Sequence, residues 1–74
     1  MLELSARINA ILSEILDIEA NEDTNMQTCP QWTSLAHIDI IMSIEEEFGI
    51  AFGQEDLASL TSKAALVQKV QELL

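Results

Sequence analysis

Basic residues are scarce in this 74-residue chain. Three Lys and Arg residues stand against 13 Asp and Glu, which gives a formal net charge of −10 at pH 7. Nucleic acids are excluded as partners, because binding to phosphate backbones requires Lys and Arg. Anionic membrane surfaces are disfavoured for the same reason. A protein partner with a basic face is favoured instead, since opposite potentials steer encounter, although acidity alone also keeps a domain soluble.

Cysteine and long apolar runs are equally scarce. The only cysteine, Cys29, argues against a disulfide framework and a Cys-based zinc site, and fits a reducing compartment. No run approaches the ~18 apolar residues that span a membrane, and the N-terminal residues lack the basic start and apolar core of a signal peptide. We therefore expect a cytoplasmic protein with no membrane span, forming a single domain over residues 1–74.

Apolar residues recur at steps of three and four in three stretches, which predicts an all-α fold. Helices are expected over residues 2–16, 34–48 and 62–74, and a short helical turn within 54–59. The apolar face predicted for the first helix consists of Leu4, Ile8, Ile11, Leu12 and Ile15. The face predicted for the last helix consists of Leu66, Val67, Val70, Leu73 and Leu74. Residues 17–33 lose this pattern and are predicted to form a long loop. The sequence therefore predicts a small four-helix bundle, with three main helices and one short helix.

Several residues beside these helices have predicted structural roles. Thr33 or Ser34 is expected to cap the second helix at its N-terminus, since a hydroxyl there accepts a backbone N–H bond. Gly49 suits its C-terminal cap. Trp32 is expected to anchor the loop to the core, the alternative being exposure beside the second helix. Cys29 is expected to be inert.

The predicted helix at 34–48 carries two apolar sets. The first consists of Ile40, Ile41, Ile44 and Phe48 and suits a core face. The second consists of Leu35, Ile38 and Met42, with Asp39, Glu45 and Glu46 around it. Exposure of the second set would make a docking surface edged by carboxylates, whereas a central helix would bury both sets. Glu45, Glu46 and Glu47 also lie near the helix C-terminus, where the helix dipole disfavours negative charge. This placement indicates that they serve a partner.

The segment WTSLAHIDIIMSIEEEFGI, residues 32–50, resembles the central segment of acyl carrier proteins and peptidyl carrier domains. The match consists of Ser34-Leu35 at the start of the second helix and Glu-Glu-Glu-Phe-Gly-Ile at its end, and the order of helices extends it over nearly the whole chain. It departs at Thr33, where the family has an Asp that helps the modifying transferase to recognise its target. This change implies weaker modification or a transferase with different needs.

The resemblance implies a carrier that is not itself an enzyme. Ser34 would receive 4'-phosphopantetheine from coenzyme A through a phosphopantetheinyl transferase. This attached group is called the arm, and Thr33 and His37 would lie beside it. The terminal thiol would hold an acyl or aminoacyl group as a thioester. The further partners would be acyl- or aminoacyl-loading and acyl-transfer enzymes with basic docking faces, and the carrier would be a monomer. The residues implied in partner binding are Leu35, Ile38, Asp39, Met42, Glu45 and Glu46.

Parts of the sequence also suggest three other functions. An unmodified interaction module would bind partners through residues 34–48 without an arm. A hydrolase could pair Ser34 with His37, which lies three residues later on the same helix. However, no third group at suitable spacing orients this histidine. We expect His37 to be a surface residue. The acidic loop has oxygen-bearing side chains at alternating positions, as a calcium-binding loop does. However, Glu22 stands where a calcium loop needs a glycine, and Thr28 stands where it needs a bidentate Glu. We therefore expect no metal site, and at most weak cation binding by this acidic loop.

Overall fold

The computed structural model describes residues 2–74 except the side chain of Leu2; Met1, part of the predicted single domain, lies outside the described residues. Within this range the chain forms four helices, which confirms the predicted all-α bundle. The helices are α1 (Leu2–Leu16), α2 (Ser34–Phe48), α3 (Gln54–Leu57) and α4 (Lys63–Leu73). The three long helices agree with their predicted ranges to within one residue at each end. α3 is shorter than the predicted stretch at 54–59.

The core lies where α1 packs against α2 and α4. The predicted inner face of α1 is confirmed, because Ile8 and Leu12 are fully buried and Leu4, Ile11 and Ile15 pack partly against the core. Full burial of one such side chain contributes about 1.5–3 kcal/mol. The buried apolar residues are Ile8, Leu12, Leu16, Cys29, Trp32, Ile40, Ile41, Ile44, Leu60, Leu66 and Val70.

The inner face of α4 is shorter than predicted. Leu66 and Val70 are fully buried and Val67 packs partly against the core. The prediction that Leu73 and Leu74 continue this face is wrong, since they are 41% and 69% exposed. The helix ends at Leu73, and the Leu74 N–H donates to the carbonyl oxygen of Val70 at 3.0 Å.

The loop over residues 17–33 is tied to the N-terminal end of α4. The Met26 N–H donates to the carbonyl oxygen of Thr61 at 2.8 Å, and the Lys63 N–H donates to the carbonyl oxygen of Thr24 at 2.9 Å. These two bonds flank an isolated antiparallel bridge, and residues 2–74 contain no strand beyond it. The loop therefore enters α2 from a fixed position.

The longest helices of the described chain, α1 and α2, have 15 residues each. A bilayer needs about 20 predominantly apolar residues in a helix. No helix within residues 2–74 is long and apolar enough to cross a membrane.

Candidate attachment site and docking face

The N-terminus of α2 is capped by a threonine. Thr33 has an extended backbone (φ −86°, ψ 175°), and its Oγ1 accepts a hydrogen bond from the Ala36 N–H at 3.2 Å. Its carbonyl oxygen accepts the first helical bond, from the His37 N–H at 2.8 Å. Of the two capping residues that the sequence left open, Thr33 is therefore the one used.

Ser34 is the first residue of α2, and it is exposed. Its hydroxyl has no hydrogen-bond partner among the described residues, because the capping role belongs to Thr33. The backbone amides of Ser34 and Leu35 belong to the first turn, where N–H groups have no acceptor within the helix. A phosphodiester on the Ser34 Oγ would lie close to these donors and to the positive end of the helix dipole.

His37 lies one turn after Ser34, and both of its ring nitrogens are hydrogen-bonded. The Trp32 Nε1–H donates to His37 Nδ1 at 3.0 Å, and His37 Nε2 lies 2.8 Å from the carbonyl oxygen of Leu57. Since the indole nitrogen can only donate, Nδ1 is the acceptor and the proton of the neutral imidazole is on Nε2. These bonds hold the side chain half-buried, so this histidine, which the sequence suggested to be a surface residue, is only partly exposed.

This arrangement does not favour a Ser34–His37 nucleophile pair. A general base needs a free ring nitrogen within hydrogen-bond reach of the hydroxyl proton. In His37, one nitrogen accepts from an indole N–H and the other donates to a backbone carbonyl. The histidine is oriented by these contacts, but towards Trp32 and α3.

Trp32 anchors the start of α2, as predicted. Its side chain is only 3% exposed and belongs to the core. Its ring centroid lies 6.0 Å from that of His37, with a tilt of 33° between the ring planes. The apolar ring of Trp32 is thus buried in the core, while its polar N–H group has a hydrogen-bond acceptor. Cys29 is also buried, and it is a free thiol.

The two apolar sets of α2 have different environments. The first set is in the core, with Ile40, Ile41 and Ile44 buried and Phe48 packed partly against them. The second set is exposed, which excludes a central helix that buries both. The exposed fractions are 78% for Leu35, 54% for Ile38 and 60% for Met42. We name Leu35, Ile38 and Met42 the exposed stripe; it is an apolar surface on an otherwise acidic protein.

Two of the three consecutive glutamates take part in the fold. The Phe52 N–H donates to Glu45 Oε2 at 2.8 Å, which fixes the segment that follows α2. Glu47 forms an ion pair with Arg7 of α1, and the Arg7 guanidinium also lies 4.6 Å from the centre of the Phe48 ring. The interpretation that all these acids serve a partner is therefore too broad.

The remaining acids beside the stripe are exposed. Asp39 and Glu46 form no hydrogen bond or ion pair with any other described residue. A carboxylate without an internal partner keeps its full charge available to an external cation. Of the acids predicted to bind partners, these two are free to do so, whereas Glu45 has a structural role as well.

An apolar groove of about 200 Å³ lies beside the stripe, between α2 and the α3 region. Its lining consists of His37, Ile38, Ile41, Met42, Glu45, Phe52 and Leu57. Phe52 and Leu57 were not predicted as site residues, because both lie in short segments where apolar periodicity cannot be read. The groove therefore brings predicted and unpredicted residues together.

No model of a known protein family matches this chain. The resemblance to carrier proteins therefore stays a prediction that rests on the motif at residues 32–50.

Proposed function

We propose that this protein is an acyl carrier. The Ser34 hydroxyl attacks the diphosphate of coenzyme A at the phosphorus that bears pantetheine. A phosphodiester forms, the hydroxyl proton is lost, and adenosine 3',5'-bisphosphate leaves. The terminal thiol of the arm then holds an acyl or aminoacyl group as a thioester. The carrier catalyses none of these steps, which belong to a transferase and to loading and acyl-transfer enzymes.

The observation that carries this proposal is the division of roles between Thr33 and Ser34. An ordinary structural explanation for a serine at a helix start is that its hydroxyl caps the helix. Here the neighbouring Thr33 makes that bond, while the Ser34 hydroxyl is exposed and without a partner among the described residues. A transferase could reach it without breaking any hydrogen bond of the fold.

The exposed stripe and its acids support the delivery part of the proposal. An enzyme that receives the arm must contact the carrier close to Ser34, and the stripe begins at the next residue, Leu35. Apolar contacts at the centre and charges at the rim are the usual composition of a protein interface. Asp39 and Glu46 supply such charges, so a basic partner face would be attracted to this side of α2.

The proposal is tested by incubating the folded protein with coenzyme A and a broad-specificity phosphopantetheinyl transferase. Peptide mass mapping should assign one phosphopantetheinyl group to the peptide that contains Ser34. The bound arm should then titrate as a thiol that accepts an acyl group from a loading enzyme. An added group on a different residue would overturn the assignment of Ser34.

The second candidate is an interaction module that is never modified. It is favoured by Thr33, since the Asp that carriers use at this position for transferase recognition is absent. Such a module would bind a partner equally well before and after Ser34 is replaced by alanine. A carrier would lose its arm in that variant, together with all thioester transfer.

A further inference from the structure

We infer that His37 is a positioning residue whose protonation releases the segment before α2 at the site of Ser34. The part of this inference that concerns modification rests on the proposed function. The clamp itself, meaning His37 with its two hydrogen bonds to Trp32 and Leu57, does not depend on that function.

The clamp joins three separate segments through one imidazole. His37 belongs to the first turns of α2, Trp32 to the loop that leads into it, and Leu57 ends α3. α3 has only four residues and none of them is fully buried. Leu57 packs partly against the core, and Asp56 forms an ion pair with Lys69 of α4. The hydrogen bond to the Leu57 carbonyl is the contact that joins the end of α3 to the His37 side chain of α2.

The hydrogen bond from Trp32 requires a neutral imidazole. When Nδ1 gains a proton, it becomes a donor that faces the donor Nε1–H of Trp32, and the bond is lost. Since Trp32 is only 3% exposed, its indole N–H would then be buried without an acceptor, which is unfavourable. The Trp32 side chain must shift to give its N–H a new partner, whereas the hydrogen bond from His37 Nε2 to the Leu57 carbonyl can persist. The clamp is thus complete at high pH and opens on its Trp32 side as the pH falls.

Imidazole is the side chain that ordinarily changes charge between about pH 5 and pH 8. The titratable groups on the surrounding segments include Asp39 and Glu45 on α2, Glu55 and Asp56 on α3, and the thiol of Cys29 in the preceding loop. Asp56 is paired with Lys69 of α4. None of these groups forms a hydrogen bond with the ring of His37. Protonation therefore gives Nδ1 no carboxylate acceptor in place of the lost bond.

Trp32 is the only tryptophan, so its signals report the clamp directly. We would record its fluorescence emission and the NMR shift of its Nε1–H from about pH 8 to about pH 5, in the wild type and in His37→Gln. The wild type should show a reversible transition while the helical circular dichroism stays constant, and His37→Gln should show no transition. A flat wild-type signal, or the same transition in His37→Gln, would overturn the inference.

A second variant covers the case in which His37→Gln does not fold. Trp32→Phe keeps an aromatic ring but removes the N–H donor, so its rate of Ser34 modification should lack the clamp's pH dependence. The ratio of the wild-type rate to the Trp32→Phe rate should fall by about 2- to 10-fold on acidification, as expected for one hydrogen bond. A constant ratio would contradict the positioning role. Absence of modification in every variant would overturn the carrier proposal, and the Trp32 titration would still decide the clamp.

Discussion

Thr33 Oγ1 and the backbone nitrogen of Ala36 lie 3.2 Å apart and form the N-terminal cap of α2. The cap separates two roles that a single serine often combines, because Thr33 stabilises the helix and Ser34 is left exposed. The fold therefore needs the first residue and the proposed chemistry needs the second. The two roles are separable by substitution.

Stability should depend on Thr33 and hardly on Ser34. Thr33→Ala removes the cap and should lower the free energy of unfolding by about 1 kcal/mol. Ser34→Ala removes no hydrogen bond within the described fold and should change it by less than about 0.5 kcal/mol. Urea unfolding of both variants beside the wild type measures the difference. A larger loss for Ser34→Ala would mean that its hydroxyl is mainly structural.

Modification should be faster in Thr33→Asp than in the wild type. Aspartate caps a helix as well as threonine does, and it restores the residue that carriers have before the attachment serine. Thr33→Asn is the matched control, since it caps without adding charge. The rate of transfer from coenzyme A should rise for Asp only. Equal rates for the two variants would show that the negative charge is not what the transferase recognises.

Charge reversal beside the exposed stripe of α2 should weaken binding to a basic partner. Glu46→Lys should raise the Kd for the transferase and reduce its dependence on salt, because an exposed attractive charge becomes repulsive. Glu72→Lys makes the same change of charge at an exposed position on α4. Calorimetric titration at two ionic strengths compares them. If both substitutions weaken binding equally, net charge rather than this face attracts the partner.

Glu45 should behave differently from its neighbour Glu46. Glu45→Ala removes the acceptor of the Phe52 N–H and should cost about 1 kcal/mol of stability. Glu46→Ala should be neutral within about 0.5 kcal/mol, because its carboxylate is exposed and unbonded among the described residues. Thermal unfolding distinguishes the two. Equal stability of both variants would contradict a structural role for the Glu45–Phe52 bond.

The two apolar sets of α2 should separate stability from binding. Ile44→Ala creates a cavity in the core and should cost about 2–5 kcal/mol. Met42→Ala removes an exposed side chain and should leave stability within about 0.5 kcal/mol of the wild type, yet weaken partner binding. Unfolding curves and binding titrations on both proteins test this. Unchanged binding of Met42→Ala would exclude Met42 from the interface.

Helix positions were predictable because each long helix repeats its apolar residues at steps of three and four. The ends of α2 were also predictable, because Thr33 and Gly49 are residue types that cap helices. Gly49 adopts the left-handed conformation (φ 65°) that this C-terminal cap requires. The inner face of α2 was predicted too. What periodicity could not decide was whether Leu35 and Met42 are covered, because this depends on how many elements pack around the helix.

The hydrogen bonds of the site were beyond prediction for a different reason. His37 bonds to Leu57, twenty residues away, through a backbone carbonyl that any residue could supply. Glu45 likewise accepts from the backbone amide of Phe52. Neither partner has a side chain that signals the contact, so the sequence suggested a surface histidine and a role for Glu45 in partner binding only. Contacts to the backbone become visible only in three dimensions.

The most direct test is the intact mass of the protein after incubation with coenzyme A and the transferase, for the wild type, Ser34→Ala and Ser59→Ala. Ser59 is a second exposed serine, close to the end of α3. We predict a gain of one phosphopantetheinyl group in the wild type and in Ser59→Ala, and none in Ser34→Ala. No gain in a folded wild type, while a known carrier in the same tube is modified, would contradict the carrier function.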